Sequence, residues 1–176
     1  DDASAPSVTD GVPETLGGVE TATPARRVTC AEAFSIRRAG AAPAGGRDRV
    51  GPVRFVGIQD ARRRANLTKP SAARDYWTYK APFEVTLARG SPVTISSRQG
   101  RILIGQDTIG NARRPWSGLS RRVVIAPCPS RAGGGRHVAS FPGGFALRRP
   151  GCIDVGVRRA GGSAERRSFP LGVPSC

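Results

Sequence analysis

The chain has 176 residues, of which 28 are Lys or Arg and 13 are Asp or Glu, so its formal net charge is +15 at pH 7. This length suits one domain with a sizeable core plus a tail. No apolar run reaches the roughly 18 residues that a spanning helix needs, so we predict no transmembrane segment in this chain.

The N-terminal stretch differs in charge from the rest of the chain. Residues 1–25 contain no base and five acids, which are Asp1, Asp2, Asp10, Glu14 and Glu20. Such a polar stretch cannot bury enough apolar surface to offset its ordering entropy. We therefore predict a disordered acidic leader or spacer over residues 1–26, ahead of a basic domain over residues 27–176. The start is typical of a mature N-terminus after signal-peptide removal, although a chain trimmed below a membrane anchor would look the same.

The domain itself has the pattern of an all-β protein. After a short helical turn expected over Ala31–Arg38, brief β-branched runs alternate with turn residues, and no long amphipathic helix appears. This pattern predicts an antiparallel Ig-like or Greek-key β-sandwich of about seven to nine strands. The predicted strands are Pro52–Ile58, Phe83–Leu87, Val93–Ser97, Arg101–Gly105, Arg121–Ala126, Val138–Phe141, Gly144–Arg148, Ile153–Arg158 and Ser168–Val173.

Two turns separate pairs of alternating runs. Arg89-Gly90-Ser91 lies between the second and third predicted strands, and residues 160–163 (Ala-Gly-Gly-Ser) lie between the last two. Each pair is therefore predicted to form a β-hairpin.

The four cysteines are Cys30, Cys128, Cys152 and Cys176. Their spacing matches no zinc or iron–sulfur pattern, and an even count favours two disulfides and an oxidising compartment over buried free thiols. The last predicted hairpin places Cys152 and Cys176 opposite each other at its open end. This favours Cys152–Cys176 with Cys30–Cys128, and the rival pairing of Cys128 with Cys152 and Cys30 with Cys176 stays open. We expect no metal and no cofactor.

Several runs carry a resemblance. Val123–Pro129, Phe141–Phe145, Pro150–Val155 and Pro170–Cys176 contain ordered Cys and Gly positions, and Val50–Gly57 precedes them. Together they resemble a group of uncharacterised exported proteins of actinobacteria with a four-cysteine β-sandwich, most strongly over residues 123–176. The resemblance implies a secreted or cell-envelope location, and it implies no activity.

Catalytic patterns are weak. His137 is the only histidine, and it follows the glycine-rich run Gly133-Gly134-Gly135-Arg136 without a G-x-S-x-G nucleophile motif elsewhere. The eight acids after residue 25 are scattered singly rather than paired as a glycosidase requires. We therefore predict that His137 is a surface-loop residue and that the protein is not an enzyme, with a secreted hydrolase of unrecognised site as an alternative.

The basic residues favour a binding role. Only Lys69 and Lys80 are lysines, and arginine binds phosphate and carboxylate groups bidentately, although codon bias in a GC-rich genome would also enrich arginine. We predict a non-catalytic extracytoplasmic module that binds an unknown ligand or belongs to the cell envelope. The alternative is a binder of polyanions such as nucleic acid or an envelope polymer, through a basic and aromatic loop. The candidate residues are Arg62, Arg63, Arg64, Lys69, Arg74, Tyr76, Trp77, Tyr79, Lys80 and Trp116, whose aromatic members could instead pack on the sandwich.

Overall fold

The computed structural model describes residues 24–40, 45–88, 90–105, 114–128 and 136–176. These residues form strands and short 3-10 turns without an α-helix, so the predicted all-β class is confirmed. The predicted leader falls mostly on residues 1–23, outside the described residues. The strands are β1 (Arg26–Val28), β2 (Ser35–Arg38), β3 (Arg49–Val50), β4 (Val53–Phe55), β5 (Trp77–Lys80), β6 (Phe83–Leu87), β7 (Val93–Ser97), β8 (Arg101–Ile104), β9 (Arg122–Ile125), β10 (His137–Phe141), β11 (Gly143–Leu147), β12 (Gly151–Arg159) and β13 (Ala164–Leu171).

The first sheet has the order β1-β9-β7-β12-β13. All its pairs are antiparallel except β1 with β9, which is parallel. Along β12 the side chains of Ile153, Val155 and Val157 are almost fully buried, while Asp154 and Arg158 are more exposed. This alternation gives the sheet one face toward the core and one toward solvent.

The other two sheets, β2-β10-β6-β4-β3 and β5-β11-β8, share one ladder. Phe141 pairs with Phe83 and Gly144 pairs with Lys80 in the same register, so Pro142 lies opposite Pro82. Proline has no N–H to donate to a neighbouring strand. Each of these prolines only accepts a hydrogen bond there, from Gly105 and Val56 respectively. The paired prolines therefore mark the place where one long ladder divides between two sheets.

The core lies between the first sheet and this divided ladder. Four phenylalanines from four strands meet there, with the Phe55 ring 4.9 Å from Phe83, 5.4 Å from Phe145 and 5.5 Å from Phe169. All four side chains are at most 4% exposed. Tilted and edge-to-face aromatic contacts of this kind stabilise beyond the area they bury.

Three local predictions are wrong. His137 is not a surface-loop residue, because it begins strand β10 and pairs with Arg38 of β2 and Leu87 of β6. The expected helical turn over Ala31–Arg38 is limited to a 3-10 turn at Cys30–Glu32, and its second half is strand β2, because Ser35–Arg38 pairs with β10. The expected hairpin around Gly90 does not form, because β6 pairs with β4 and β10 while β7 pairs with β9 and β12. The chain there crosses from one sheet to another.

The last hairpin and both disulfides are confirmed. Strands β12 and β13 pair directly, and the bridges are Cys30–Cys128 and Cys152–Cys176, with Cα–Cα distances of 5.4 and 5.7 Å. The rival cysteine pairing is thereby excluded. Within the described ranges, no helix is long and apolar enough to cross a membrane.

Candidate functional site

The predicted basic and aromatic loop separates into exposed cations and packed aromatics. The side chains of Arg62, Arg63, Arg64, Lys69 and Lys80 are exposed. Tyr76 and Tyr79 are core residues instead.

Tyr76 is 1% exposed and Tyr79 is 8% exposed. The hydroxyl of Tyr76 donates to the carbonyl of Arg114 at 3.0 Å, and that of Tyr79 donates to the carbonyl of Gly57. Burial and the nearby carboxylate of Asp60 raise the pKa of Tyr79. Because neither ring is open to solvent, neither can stack on a base or a sugar.

The two tryptophans are half-buried and are covered by arginines of the same chain. Arg64 lies 4.9 Å from the ring centre of Trp77, while Arg101 and Arg148 lie 4.9 and 5.0 Å from that of Trp116. Such cation–π contacts are favourable and occupy the ring faces. The indoles are therefore used in packing the protein itself.

Arg74 and Trp116 both contact Tyr76. The guanidinium carbon of Arg74 lies 5.7 Å from the centre of the Tyr76 ring, and the ring centres of Trp116 and Tyr76 are 5.8 Å apart. The structure thus brings three of the candidate residues together, over a small second core that includes Leu103 and Ala146 of the third sheet. Trp77 belongs to the main core instead.

His137 lines a cleft of about 870 Å³ between the β2 edge and the Cys30–Cys128 disulfide. Ile36 and Arg38 of β2 form part of the same lining. No carboxylate from the described ranges lines this cleft, so it does not provide the histidine–carboxylate pair on which the hydrolase alternative depends. Across those ranges no group of three His, Cys, Asp or Glu residues is placed to hold a metal.

A more definite arrangement lies on the outer face of the first sheet. One row of directly paired residues crosses four strands as Arg122, Ser96, Gly156 and Arg166. Adjacent strands are about 4.8 Å apart, so the backbones of the two arginines, at opposite ends of the row, lie about 14 Å from each other. Both are exposed, and the two residues between them are small.

The next row crosses all five strands as Arg27, Val124, Thr94, Arg158 and Ala164. Arg27 and Arg158 are exposed, and the threonine between them is half-buried. The two rows together place four arginines around a centre of small and hydroxyl-bearing residues.

The centre of this face is a hollow of about 260 Å³, which we call the basic hollow. Gly156 contributes to its floor, and a Cβ there would lie 2.9 Å from the Ser96 hydroxyl oxygen, so the missing side chain keeps the hollow open. No carboxylate of the described residues lines it. Its lining residues are Thr94, Ser96, Arg122, Gly156, Arg158, Ala164 and Arg166.

Asp154, on the same face of β12 as Arg158, is already engaged. Asp154 accepts hydrogen bonds from Ser168 and from Gln99, and these bonds, with the charges of Arg98 and Arg166, lower its pKa. Among the residues that the structure describes, Arg122, Arg158 and Arg166 form no salt bridge with a carboxylate. Their guanidinium groups are therefore available to an external anion.

Sequence reasoning missed the basic hollow because Arg122 is far along the chain from Arg158 and Arg166, and because the last strand was predicted to begin at Ser168, after Arg166. The alternation of β12 is a signal for an outward Arg158. The pairing register of four strands, which places Arg122 and Arg166 on the same row, is visible only in the fold. No known protein family, curated protein or solved structure matches this chain.

Proposed function

We propose that this protein is a non-catalytic extracytoplasmic binding module whose ligand is a linear polyanion, either nucleic acid or a phosphate-bearing envelope polymer. The observation that carries the proposal is the basic hollow, where three exposed arginines lie around small residues and where the part of the chain that the structure describes contributes no carboxylate. An extended anionic chain would lie across the outer face of the first sheet with one charged group seated in the hollow.

The chemistry of the hollow supports a phosphate-type group. Arg122, Arg158 and Arg166 carry planar guanidinium groups, which bind phosphate bidentately. The hydroxyl of Thr94 adds a neutral donor, whereas that of Ser96 already donates to the carbonyl of Gly156 at 3.3 Å. The overall charge of +15 would draw a polyanion toward the surface before specific contacts form.

The extracytoplasmic part of the proposal rests on two other observations. The structure has two disulfides, which persist mainly in oxidising compartments. The resemblance of residues 123–176 to exported actinobacterial proteins is consistent with the same location, and we propose membership of that group. Both points favour a secreted protein or a cell-envelope component.

The test compares salt dependence between matched charge-neutralising variants. Binding of a fluorescent single-stranded dT oligomer is measured by anisotropy at several salt concentrations for the wild type, Arg158→Gln, Arg122→Gln and the control Arg63→Gln. Each phosphate contact contributes about 0.7 to the slope of log affinity against log salt for a single strand. We expect both hollow variants to lose about that much slope and the control to keep the wild-type value, because Arg63 is an exposed residue away from the sheet face.

A second variant changes the shape of the hollow without changing its charge. Gly156→Ala places a methyl group against Ser96 and fills the floor, so we expect weaker binding with an almost unchanged salt slope. If Arg63→Gln instead reduces the slope and Arg158→Gln does not, the exposed cations of residues 62–80 form the binding surface. Equal effects of all three arginine variants would mean generic attraction by net charge, and either result overturns the proposal.

A further inference from the structure

Arg159 occupies a position that the β-sandwich normally fills with an apolar side chain. In β12 it follows Ile153, Val155 and Val157 on the inner face, and it pairs with the buried Val93 of β7. It is only half-exposed. A charged group at an inward position costs free energy unless it is paired.

Part of that cost is visible at the guanidinium. The Nε of Arg159 is buried and has no hydrogen-bond partner among the described residues. A buried donor without a partner costs free energy, because the hydrogen bond that it made with water in the unfolded chain is not replaced. Because Nε is inaccessible to water, an acceptor from outside the chain would contact the terminal nitrogens of this guanidinium rather than Nε.

The surroundings of Arg159 are suited to a negatively charged acceptor. It lines a cavity of about 540 Å³ at the edge of the sandwich, between the β12–β13 turn and the chain around β3. Arg49 and Arg167 line the same cavity, and among the described residues Glu165 is the one carboxylate in its lining. Three guanidinium groups against one carboxylate leave a charge of +2.

Two of these lining groups are already held in place. Arg167 donates to the carbonyl of Gly46 at 2.6 Å, which fixes its guanidinium at the rim. The Glu165 carboxylate accepts from the backbone N–H of Gly51 at 3.1 Å. Among the described residues Glu165 forms no salt bridge with the three arginines, so it does not engage their guanidinium groups directly.

We propose that this cavity, the inner arginine site, binds a tetrahedral oxyanion, namely the phosphate group of inorganic phosphate or of a small phosphomonoester. Phosphate suits the site because its several oxygens can accept from Arg159, Arg49 and the Ser163 hydroxyl at the same time. The site is separate from the basic hollow, because Arg158 and Arg159 project to opposite faces of β12. It does not rest on polyanion binding at the outer face.

The test follows inorganic phosphate, and in a second arm glycerol 3-phosphate, titrated into the full-length protein. Two-dimensional ¹H–¹⁵N spectra report each site separately, through the amides of Gly162 and Ser163 for the inner site and those of Ser96 and Gly156 for the hollow. We expect saturable shifts at Gly162 and Ser163, together with a shift of the Arg159 Nε–H resonance. Tighter binding of glycerol 3-phosphate would identify a phosphomonoester as the ligand, and tighter binding of inorganic phosphate would identify the free ion.

Arg159→Gln should weaken the inner-site affinity by about tenfold or more, the loss expected for a charge-assisted hydrogen bond. Arg158→Gln is the matched control, since it removes the same charge from the neighbouring residue on the opposite face. Arg49→Gln, at the sheet edge, tests the same site if Arg159→Gln does not fold. The proposal is overturned if phosphate leaves Gly162 and Ser163 unshifted, or if Arg158→Gln weakens the inner site as much as Arg159→Gln does.

Discussion

The two disulfides should differ in their contribution to stability, because they close chain segments of very different length. Cys30–Cys128 joins residues 98 apart, and Cys152–Cys176 joins residues 24 apart. In the chain-entropy relation, closing these loops stabilises the folded state by about 4.7 and about 3.5 kcal/mol respectively. We therefore predict a difference of about 1.2 kcal/mol between the two bridges.

Contacts around the two bridges in the folded state should increase this difference in stabilisation. Cys30 follows β1, whose three residues pair with β9, and both Cys30 and Cys128 pack against the main core. Cys176 lies in an exposed end beyond β13. We expect β12 and β13 to stay paired without the bridge, because eight residue pairs join the two strands directly. Losing the first bridge also loosens β1, whereas losing the second frees only the chain after Leu171.

The assay is urea unfolding of the Cys30→Ala/Cys128→Ala and Cys152→Ala/Cys176→Ala double variants, compared with the wild type under non-reducing conditions. We expect the first variant to lose more unfolding free energy than the second. Amide exchange should increase at Val28 in the first variant and at Gly172 in the second. Equal losses, or a larger loss for the second variant, would refute the reasoning from loop length.

Two further predictions concern single side chains. Tyr76→Phe removes the hydrogen bond to the Arg114 carbonyl, so it should lower the unfolding free energy by about 0.5–1.5 kcal/mol. Oligonucleotide binding should be unchanged. A loss of binding with full stability would instead mean that Tyr76 contacts the ligand. In the folded protein the pKa of Asp154 lies below its ordinary value of 3.8. The ionised carboxylate therefore stabilises the fold above pH 3.8, and this stabilisation is lost as the pH falls through the pKa of the folded state. Urea unfolding between about pH 6 and pH 3 should therefore show a stability gap between wild type and Asp154→Asn that closes on acidification, and a gap that widens would contradict this sign.

The strands that could be predicted from sequence are those with buried positions, including β8 and β11, which are buried throughout. Phe83–Leu87 and Val93–Ser97 have the predicted bounds, because their buried positions recur with the period of a strand. Strand β2 was missed because all four of its residues are exposed at a sheet edge. Without a buried face, its sequence contains no alternation to recognise.

Pairing partners were harder to predict than strand positions. A short connection between two strands can close a hairpin within one sheet or cross between two sheets, and turn residues such as those near Gly90 fit either geometry. The second arrangement occurs here because β6 and β7 each have two other partners. The candidate sites depend on the same information, since each arginine gains its neighbours through the register of several strands.

The face on which an arginine lies helps to distinguish a binding role from mere codon bias in this arginine-rich chain. Codon bias raises the number of arginines without regard to the face on which each lies, and solvent-facing positions tolerate them at little cost. Arg159 faces inward and has a buried Nε without a partner among the described residues, so bias alone explains its presence poorly. Its neighbour Arg158 faces the basic hollow. Two adjacent arginines on one strand thus serve two separate anion sites, and the paired Gln variants distinguish them because each removes the same charge from a different face.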